Sequence, residues 1–240
     1  MNQENVRLGS GVNGYVSRPR GSGPFPAVIV IMEAFGITGH IKGVCQRLAK
    51  AGFVAVAPDI FHGDVIAYPD MDAAMAKIRS LKDEDMLKDV GMTLDWLAAQ
   101  REVERRSIGI IGFCMGGRLA FLCNCRFPDR FRAAVCFYGG GIAVEGETDR
   151  FGRTPPIHLA AHMQAPIYLG YGADDQGIPP AEHARIAEKL STLKKRFALA
   201  VYPGAGHAFL CEERPNYAPA AAEKAWQESL DFLHAQLEAG

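Results

Sequence analysis

The stretch Ser107-Ile-Gly-Ile-Ile-Gly-Phe-Cys-Met-Gly-Gly117 decides the predicted fold of this chain. A β-branched apolar run leads directly into Gly-Phe-Cys-Met-Gly, and an apolar helical pattern follows over 118–127. A strand, a tight turn and a helix in this order are typical of a nucleophile elbow, with Cys114 at the position that usually holds serine. Gly112 and Gly116 suit such a turn, because a residue thrust out at its tip leaves little room for side chains two positions away. The alternative is a βα turn in which the cysteine is an apolar filler.

Composition narrows the class of protein and the kind of partner. The chain has 240 residues, enough for one α/β domain or two small ones with a sizeable core. With 48% hydrophobic and 22% charged residues, it has the composition of an ordinary globular protein. The formal net charge of -1 argues against nucleic acid and anionic membranes as partners, since both favour a basic excess. A small-molecule substrate fits this charge.

The amino terminus and the cysteines indicate a cellular compartment. Residues 1–8 lack the apolar core of a secretory signal, and no apolar run approaches the length of a membrane span. The six cysteines lack the density of a disulfide scaffold, and the close pair Cys123 and Cys125 has no second pair at zinc-finger spacing. We therefore expect reduced thiols in a cytoplasmic protein.

Apolar runs alternate with helical patterns along the chain. Strands are expected over 27–32, 53–57, 107–113, 133–138, 165–171 and 197–202, and helices over 41–51, 71–81, 83–99, 118–127, 180–193 and 219–237. Residues 1–26 are expected to form an edge strand or hairpin that leads into the core. This alternation predicts an α/β fold with a mainly parallel sheet flanked by helices. Without a repeat or a linker, residues 1–240 are expected to form one domain.

Two loops after predicted strands carry the partners that a cysteine nucleophile needs. Such a nucleophile requires a base, and the base requires an orienting acid. In open α/β sheets the reactive groups gather beyond the carboxyl ends of the strands. Residues 170–179 contain Asp174 and Asp175, and residues 203–209 contain His207 shortly after Gly204 and Gly206. The order nucleophile, acid, histidine is that of α/β-hydrolases, and either aspartate could be the acid at this point.

The remaining histidines show no convincing metal-ligand spacing. His158 and His162 are four residues apart and could share a helical face, but Pro155-Pro156 precedes them and no third ligand is evident. We expect no metal site.

Several motifs together resemble the dienelactone hydrolase family. They are, in chain order, Glu33-Ala-Phe-Gly36, Pro58-Asp-Ile-Phe-His-Gly63, Gly112-Phe-Cys-Met-Gly-Gly117, Tyr138-Gly139, Asp175 four residues before Pro179, and Gly204-Ala-Gly-His-Ala-Phe209. The resemblance extends from about residue 27 to the final helix. It implies a single α/β-hydrolase domain with no cofactor.

The resemblance also implies roles for individual residues. Cys114 would be the nucleophile, His207 the base and Asp175 the orienting acid. Asp175 is preferred because the family spacing to Ile178-Pro179 falls on it, whereas Asp174 more naturally fixes the turn. Glu33 would be a buried partner of the resting thiol, and like-charge repulsion would keep that thiol less ionised until substrate displaces the carboxylate.

The resemblance further indicates the surroundings of the reacting carbonyl. We expect the oxyanion hole to consist of the backbone N–H groups of Met115 and Ala34, with a favourable dipole from the helix that starts at Met115. Phe35, Tyr138 and Phe209 are the candidates for the substrate pocket.

The expected reaction is hydrolysis of a lactone or small carboxylic ester. The thiolate would attack the carbonyl, a thioester would form, and a water activated by His207 would cleave it. Two other classes share these residues: a thioesterase or acyl transferase, and an α/β-hydrolase-fold protein that binds a ligand without turnover. The oligomeric state is not predicted.

The residues after His207 bear on the charge of the substrate. Family members that use an anionic dienelactone hold its carboxylate with arginines, one of them shortly after the histidine. Here that neighbourhood reads Leu210-Cys-Glu-Glu-Arg214, where Arg214 is distant and the two glutamates would repel an anion if they faced the pocket. The possible replacements, each expected to be a solvated surface residue, are Arg79, Arg150 and Arg153.

Overall fold

Eight strands form one sheet within residues 2–238, the part of the chain that the computed structural model describes. Their bounds are β1 (Asn2–Gly9), β2 (Val12–Arg18), β3 (Phe25–Ile31), β4 (Val54–Pro58), β5 (Val103–Phe113), β6 (Ala133–Phe137), β7 (Ile167–Gly172) and β8 (Phe197–Tyr202). The order across the sheet is β1-β2-β4-β3-β5-β6-β7-β8. Strands β3 to β8 pair in parallel, whereas β1 and β2 form an antiparallel edge hairpin. The predicted mainly parallel sheet is confirmed.

Helices follow most of the parallel strands. Their bounds are α1 (Gly39–Lys50), α2 (Met71–Ser80), α3 (Asp83–Ala99), α4 (Met115–Arg126), α5 (Pro180–Thr192) and α6 (Pro219–Leu237), with a 3₁₀ helix at Pro156–His162. The predicted ends of α3 and α6 agree with the structure, because both helices carry a long apolar stripe that starts and stops with the helix. Among residues 2–238, none of these helices has the length and apolar content needed to cross a bilayer.

The central strands are buried on both faces. The side chains of 28–32 in and after β3, and of 54–57 in β4, are fully buried. This explains their continuous apolar sequences, since a strand covered on both faces shows no alternation of polar and apolar residues. The site can therefore form only where the chain leaves the sheet, at the strand ends.

Strand β5 begins earlier than predicted. Val103 pairs with Phe25, and the register then shifts before Ile108 pairs with Ala27. The charged residues 104–106, expected to be a connection, are exposed within this strand. Exposed residues in an irregular part of a ladder carry no apolar pattern, so the sequence did not reveal them.

Candidate active site

Cys114 occupies the sharp turn between β5 and α4. Its backbone has φ 55° and ψ -119°, a conformation that costs a non-glycine residue roughly 1–3 kcal/mol. The Cys114 N–H donates to the Phe137 carbonyl at 3.0 Å, and the Cys114 carbonyl accepts from Gly117 N–H at 2.9 Å and Arg118 N–H at 3.2 Å. These bonds hold the strained backbone in place, as expected for the elbow predicted at this position.

The glycines of the elbow are required by close backbone contacts. A Cβ atom on Gly112 would lie 1.9 Å from the Gly116 carbonyl oxygen. A Cβ atom on Gly116 would lie 2.5 Å from the carbonyl oxygens of both Ile31 and Met32. Helix α4 therefore begins directly against the end of β3.

The structure brings Cys114, His207 and Asp175 into contact. His207 Nε2 lies 3.1 Å from Cys114 Sγ, and His207 Nδ1 lies 2.7 Å from Asp175 Oδ2. The Asp175 side chain is buried, and its Oδ1 also accepts the Gly177 N–H at 2.8 Å. Asp174 is exposed, and its backbone N–H donates to the Ala205 carbonyl at 2.9 Å. The aspartate that contacts the histidine is thus Asp175.

The groups around His207 favour its protonated form. Burial lowers the pKa of His207, but the neighbouring Cys114 and the hydrogen bond to Asp175 outweigh it and raise this pKa to about 10. Burial raises the pKa of Asp175, but the hydrogen bond to His207 and the charge of the imidazole outweigh it and lower this pKa below its usual range. These neighbours favour the imidazolium form of His207, which lies between the sulfur and a carboxylate.

No hydrogen bond joins Glu33 to the Cys114 thiol within residues 2–238, and the expected role of Glu33 as the partner of the resting thiol stays a prediction. The sulfur lies against His207 instead. Glu33 is 2% exposed, its Oε2 lies 3.9 Å from Arg214 Nη1, and its Oε1 has no hydrogen-bond partner among residues 2–238. Because Arg214 compensates the charge of Glu33, the carboxylate can stay buried.

Arg214 reaches this position although it lies seven residues after His207. Successive turns fold the segment back: Cys211 N–H donates to the Ala208 carbonyl at 3.0 Å, and Arg214 N–H to the Cys211 carbonyl at 3.1 Å. The guanidinium lies 5.1 Å from the ring centroid of Phe35. Turns of this kind leave no periodic signal in the sequence. The separation of seven residues from His207 therefore made Arg214 look more distant from the site than it is.

The two glutamates before Arg214 do not face the cavity. Glu212 Oε2 lies 2.9 Å from Nδ1 of the buried His40, and Glu213 accepts the Tyr68 hydroxyl at 2.9 Å. Burial lowers the pKa of His40, but hydrogen bonds with Cys211 and Glu212 outweigh it and raise this pKa to about 9. The hydrogen bond with His40 lowers the pKa of Glu212 to about 2. Both carboxylates are engaged away from the nucleophile.

The backbone N–H groups of Met115 and Ala34 have no hydrogen-bond acceptor in the described residues. Both residues are buried, at the start of α4 and after β3 respectively. Buried N–H groups without an acceptor are uncommon in folded proteins.

A cavity of about 1040 Å³ contains the side chains of Cys114 and His207. The lining also includes Asp149, Arg150, Phe151 and Arg153, from the segment between β6 and the 3₁₀ helix. Arg150 and Arg153, expected on the solvated surface, thus line the cavity, and Arg153 Nε donates to Asp149 Oδ2 at 3.0 Å. Arg79 is exposed and outside this lining.

The three aromatic candidates for the substrate pocket do not line this cavity. Phe35, Tyr138 and Phe209 are fully buried and lie outside the cavity lining. The Tyr138 ring packs 5.3 Å from the His207 ring and 5.6 Å from that of Phe209. These three side chains are part of the apolar core that packs against His207. Each follows a strand or turn that is itself buried.

Sequence comparison assigns the chain to a known group of enzymes. The sequence model of the Dienelactone hydrolase family matches residues 12–237. The chain belongs to the dienelactone hydrolase family. It is a hydrolase of lactones or carboxylic esters. Within residues 2–238 of this family member, no group of three or more His, Cys, Asp or Glu side chains could hold a metal ion.

Individual relatives cover most of this dienelactone hydrolase family chain. It is 34% identical over 91% of its length to the "Putative carboxymethylenebutenolidase" of Yersinia pestis, 82% of which is covered. It is 36% identical over 91% of its length to a "Probable 2-oxo-3-(5-oxofuran-2-ylidene)propanoate lactonase" of Bradyrhizobium sp, 87% of which is covered. The crystal structure of a "Putative Dienelactone Hydrolase" from Klebsiella pneumoniae is 32% identical, with a TM-score of 0.84 and 92% of each chain covered.

Proposed function

We propose that this hydrolase cleaves a lactone or small carboxylic ester through a thioester on Cys114, with His207 as the base and Asp175 as the orienting acid. One observation carries the proposal: an unbroken chain of contacts runs from Cys114 Sγ through both nitrogens of His207 to Asp175, beside a cavity of about 1040 Å³. A histidine nitrogen 3.1 Å from the sulfur is within reach to take the proton of a cysteine nucleophile.

The reaction proceeds in two halves. The thiolate of Cys114 forms a C–S bond with the substrate carbonyl carbon, and the carbonyl electron pair moves to oxygen. As the intermediate collapses, the C–O bond breaks and His207 protonates the leaving oxygen, which stays attached to the acyl group when the substrate is a lactone. Neutral His207 then takes a proton from water, the resulting hydroxide attacks the thioester, and the C–S bond breaks to give the carboxylic acid and the enzyme thiolate.

Backbone dipoles stabilise the oxyanion in both halves. The N–H groups of Met115 and Ala34 are the proposed donors, and the amino terminus of α4 adds a favourable dipole. Loss of one such donor typically costs about 3 kcal/mol of transition-state stabilisation. The strained backbone of Cys114 directs its side chain toward these groups.

Substitution of the cysteine tests the proposal. Cys114→Ala should abolish turnover of every ester and lactone substrate, because no other group can form the thioester. Cys123→Ala is the matched control, since Cys123 is a buried thiol on α4. Full activity of Cys114→Ala would overturn the mechanism.

Two alternative functions would give different kinetics with a chromogenic ester. A thioesterase or acyl transferase would pass the same acyl group to another acceptor, so its turnover after the product burst would depend on the acceptor that is added. A protein that only binds ligand would show no burst. A single domain over 1–240, the lack of a cofactor and a cytoplasmic location stay predictions.

A further inference from the structure

Arg118 is a buried arginine four residues after Cys114. Its side chain is 1% exposed, and its backbone N–H donates to the Cys114 carbonyl at 3.2 Å. The residue lies behind the cavity lining and does not contribute to it. A buried guanidinium is costly unless it is well paired, so its partners indicate its role.

The guanidinium joins three separate parts of the fold. Nη1 and Nη2 donate to the two carboxylate oxygens of Asp83, at the start of α3, at 2.8 and 3.0 Å. Nη2 also donates to the Thr154 carbonyl at 2.9 Å. Nε lies 3.5 Å from Asp149 Oδ2. Arg118 therefore connects the elbow helix both to α3 and to the segment that precedes the 3₁₀ helix.

That segment forms a closed turn over residues 149–153, which we name the cavity wall. Asp149 Oδ1 accepts the N–H groups of Phe151 at 2.8 Å and Arg153 at 3.0 Å, and the Asp149 N–H donates to the Arg153 carbonyl at 2.8 Å. The guanidinium groups of Arg150 and Arg153 lie 4.9 and 4.8 Å from the Phe151 ring centroid. These bonds hold the cavity wall together, and Arg118 contacts it at Asp149 and contacts the next residue along the chain, Thr154.

We propose that Arg118 is a positioning residue that sets the separation between Cys114 and the cavity wall, and thereby selects substrates by the size of the group that faces the wall. This inference rests on the proposed ester or lactone hydrolysis. The backbone of Arg118 is part of the helix that follows the elbow, and its side chain contacts the cavity wall. A substitution at Arg118 therefore moves the cavity wall relative to Cys114. Displacement of the wall alters the fit of a large substituent more than the attack on the carbonyl.

Two variants and two matched controls test the role. Arg118→Lys keeps the charge but replaces the planar fork with one ammonium, and Asp83→Asn removes the opposing charge while keeping the shape. The controls Arg126→Lys and Glu84→Gln alter an exposed ion pair of 3.4 Å between the same two helices. Values of kcat and KM are measured for phenyl acetate and phenyl hexanoate, with circular dichroism to confirm folding.

We expect the ratio of kcat/KM for hexanoate to that for acetate to change about fivefold or more in both variants, mainly through KM. The controls should keep the parent ratio. An equal change for both esters, or an unchanged ratio in either folded variant, would overturn the proposal. If Arg118→Lys does not fold, Asp83→Asn alone decides.

A second measurement separates this inference from the proposed function. Cys114 is half-buried and the other five cysteines are buried, so alkylation by iodoacetamide and by the larger N-phenylmaleimide reports on Cys114 without turnover. A parent that fails to hydrolyse either ester refutes the proposed function. The alkylation rates of the two reagents must still respond differently to Arg118→Lys and Asp83→Asn, and equal responses would refute the positioning role.

Discussion

His207 is held between two groups that both favour its charged form. The sulfur of Cys114 lies on one nitrogen and the carboxylate of Asp175 on the other. Asp175 in turn is fixed by the Gly177 N–H, so the imidazole cannot rotate without breaking a buried contact. In the proposed mechanism this arrangement selects the tautomer that presents Nε2 to the reacting atoms.

Substitution of the two adjacent aspartates should give very different results. Asp175→Asn removes the acceptor that orients His207, so we expect kcat to fall roughly 10³- to 10⁴-fold. Asp174→Asn should have a much smaller effect, because Asp174 is exposed and makes no side-chain contact with His207 in the described residues. Steady-state kinetics on one ester compares the pair, and a larger loss in Asp174→Asn would reverse the assignment.

Arg150 should favour a negatively charged substrate. It lines the cavity, and its guanidinium pairs with no carboxylate within residues 2–238, whereas Arg153 is paired with Asp149. Arg150→Gln should raise KM for a carboxylate-bearing lactone about three- to tenfold and leave a neutral ester of similar size unaffected.

Arg79→Gln is the control for that prediction, since Arg79 is exposed and outside the cavity. A strong preference of the parent enzyme for neutral esters would contradict an anionic substrate.

For single residues, the sequence predicts which candidate catalytic side chains lie in the strand-end loops. It does not predict how the side chains around them pack. The contact between Cys114 and His207 follows from residue type and chain order, whereas the choice of Asp175 over Asp174 came from the family resemblance. The pairing of Glu33 with Arg214 depends on how consecutive turns fold, and the burial of Tyr138 depends on neighbours distant in sequence. Arg118 was missed, although an arginine within the apolar helix after the elbow was a signal that it needed partners.

Among the elements, the elbow tolerates no added side chain. Gly116→Ala would place Cβ 2.5 Å from two backbone carbonyl oxygens, so the helix must shift, and we expect a loss of about 1–3 kcal/mol in the free energy of unfolding together with reduced activity. Urea titration measures the first effect.

Gly91→Ala in α3 is the matched control. Its Cβ would lie 3.8 Å from the Phe127 ring, an ordinary contact, so the substitution should stabilise the protein by about 0.5–1 kcal/mol through the higher helix propensity of alanine. Equal effects at the two glycines would contradict the close approach of α4 to β3.

Elements with a strong apolar period were predicted well, and those without one were not. The ends of α3, α6 and β8 agree with the structure. The segment between β6 and the 3₁₀ helix shows no period, because its conformation depends on the carboxylate of Asp149 and on Arg118 rather than on an apolar face. The sequence pattern therefore did not predict the conformation of the cavity wall.

For the whole molecule, the buried pair of His40 and Glu212 should make stability depend on pH. The pKa of His40 rises from 6.5 to about 9 on folding, so its contribution is complete below pH 6.5 and is lost as the pH rises through 9. The pKa of Glu212 falls from 4.5 to about 2, so its contribution is present above pH 4.5 and is lost as the pH falls through 2.

This pair therefore contributes most between pH 4.5 and 6.5. Urea midpoints measured from pH 4 to 9 should decline on the alkaline side, and His40→Gln should flatten that decline. An unchanged alkaline slope in His40→Gln would show that His40 is not the group responsible.

The most direct test of the account is the mass of the enzyme during turnover. The protein is mixed with a chromogenic acetate ester, quenched in acid within the burst phase, digested and analysed by mass spectrometry. A thioester on Cys114 predicts one added acetyl group on the peptide that carries this residue, removable by hydroxylamine and absent from Cys114→Ala. A burst with no acyl group on that peptide, or an acyl group on another residue, would contradict it.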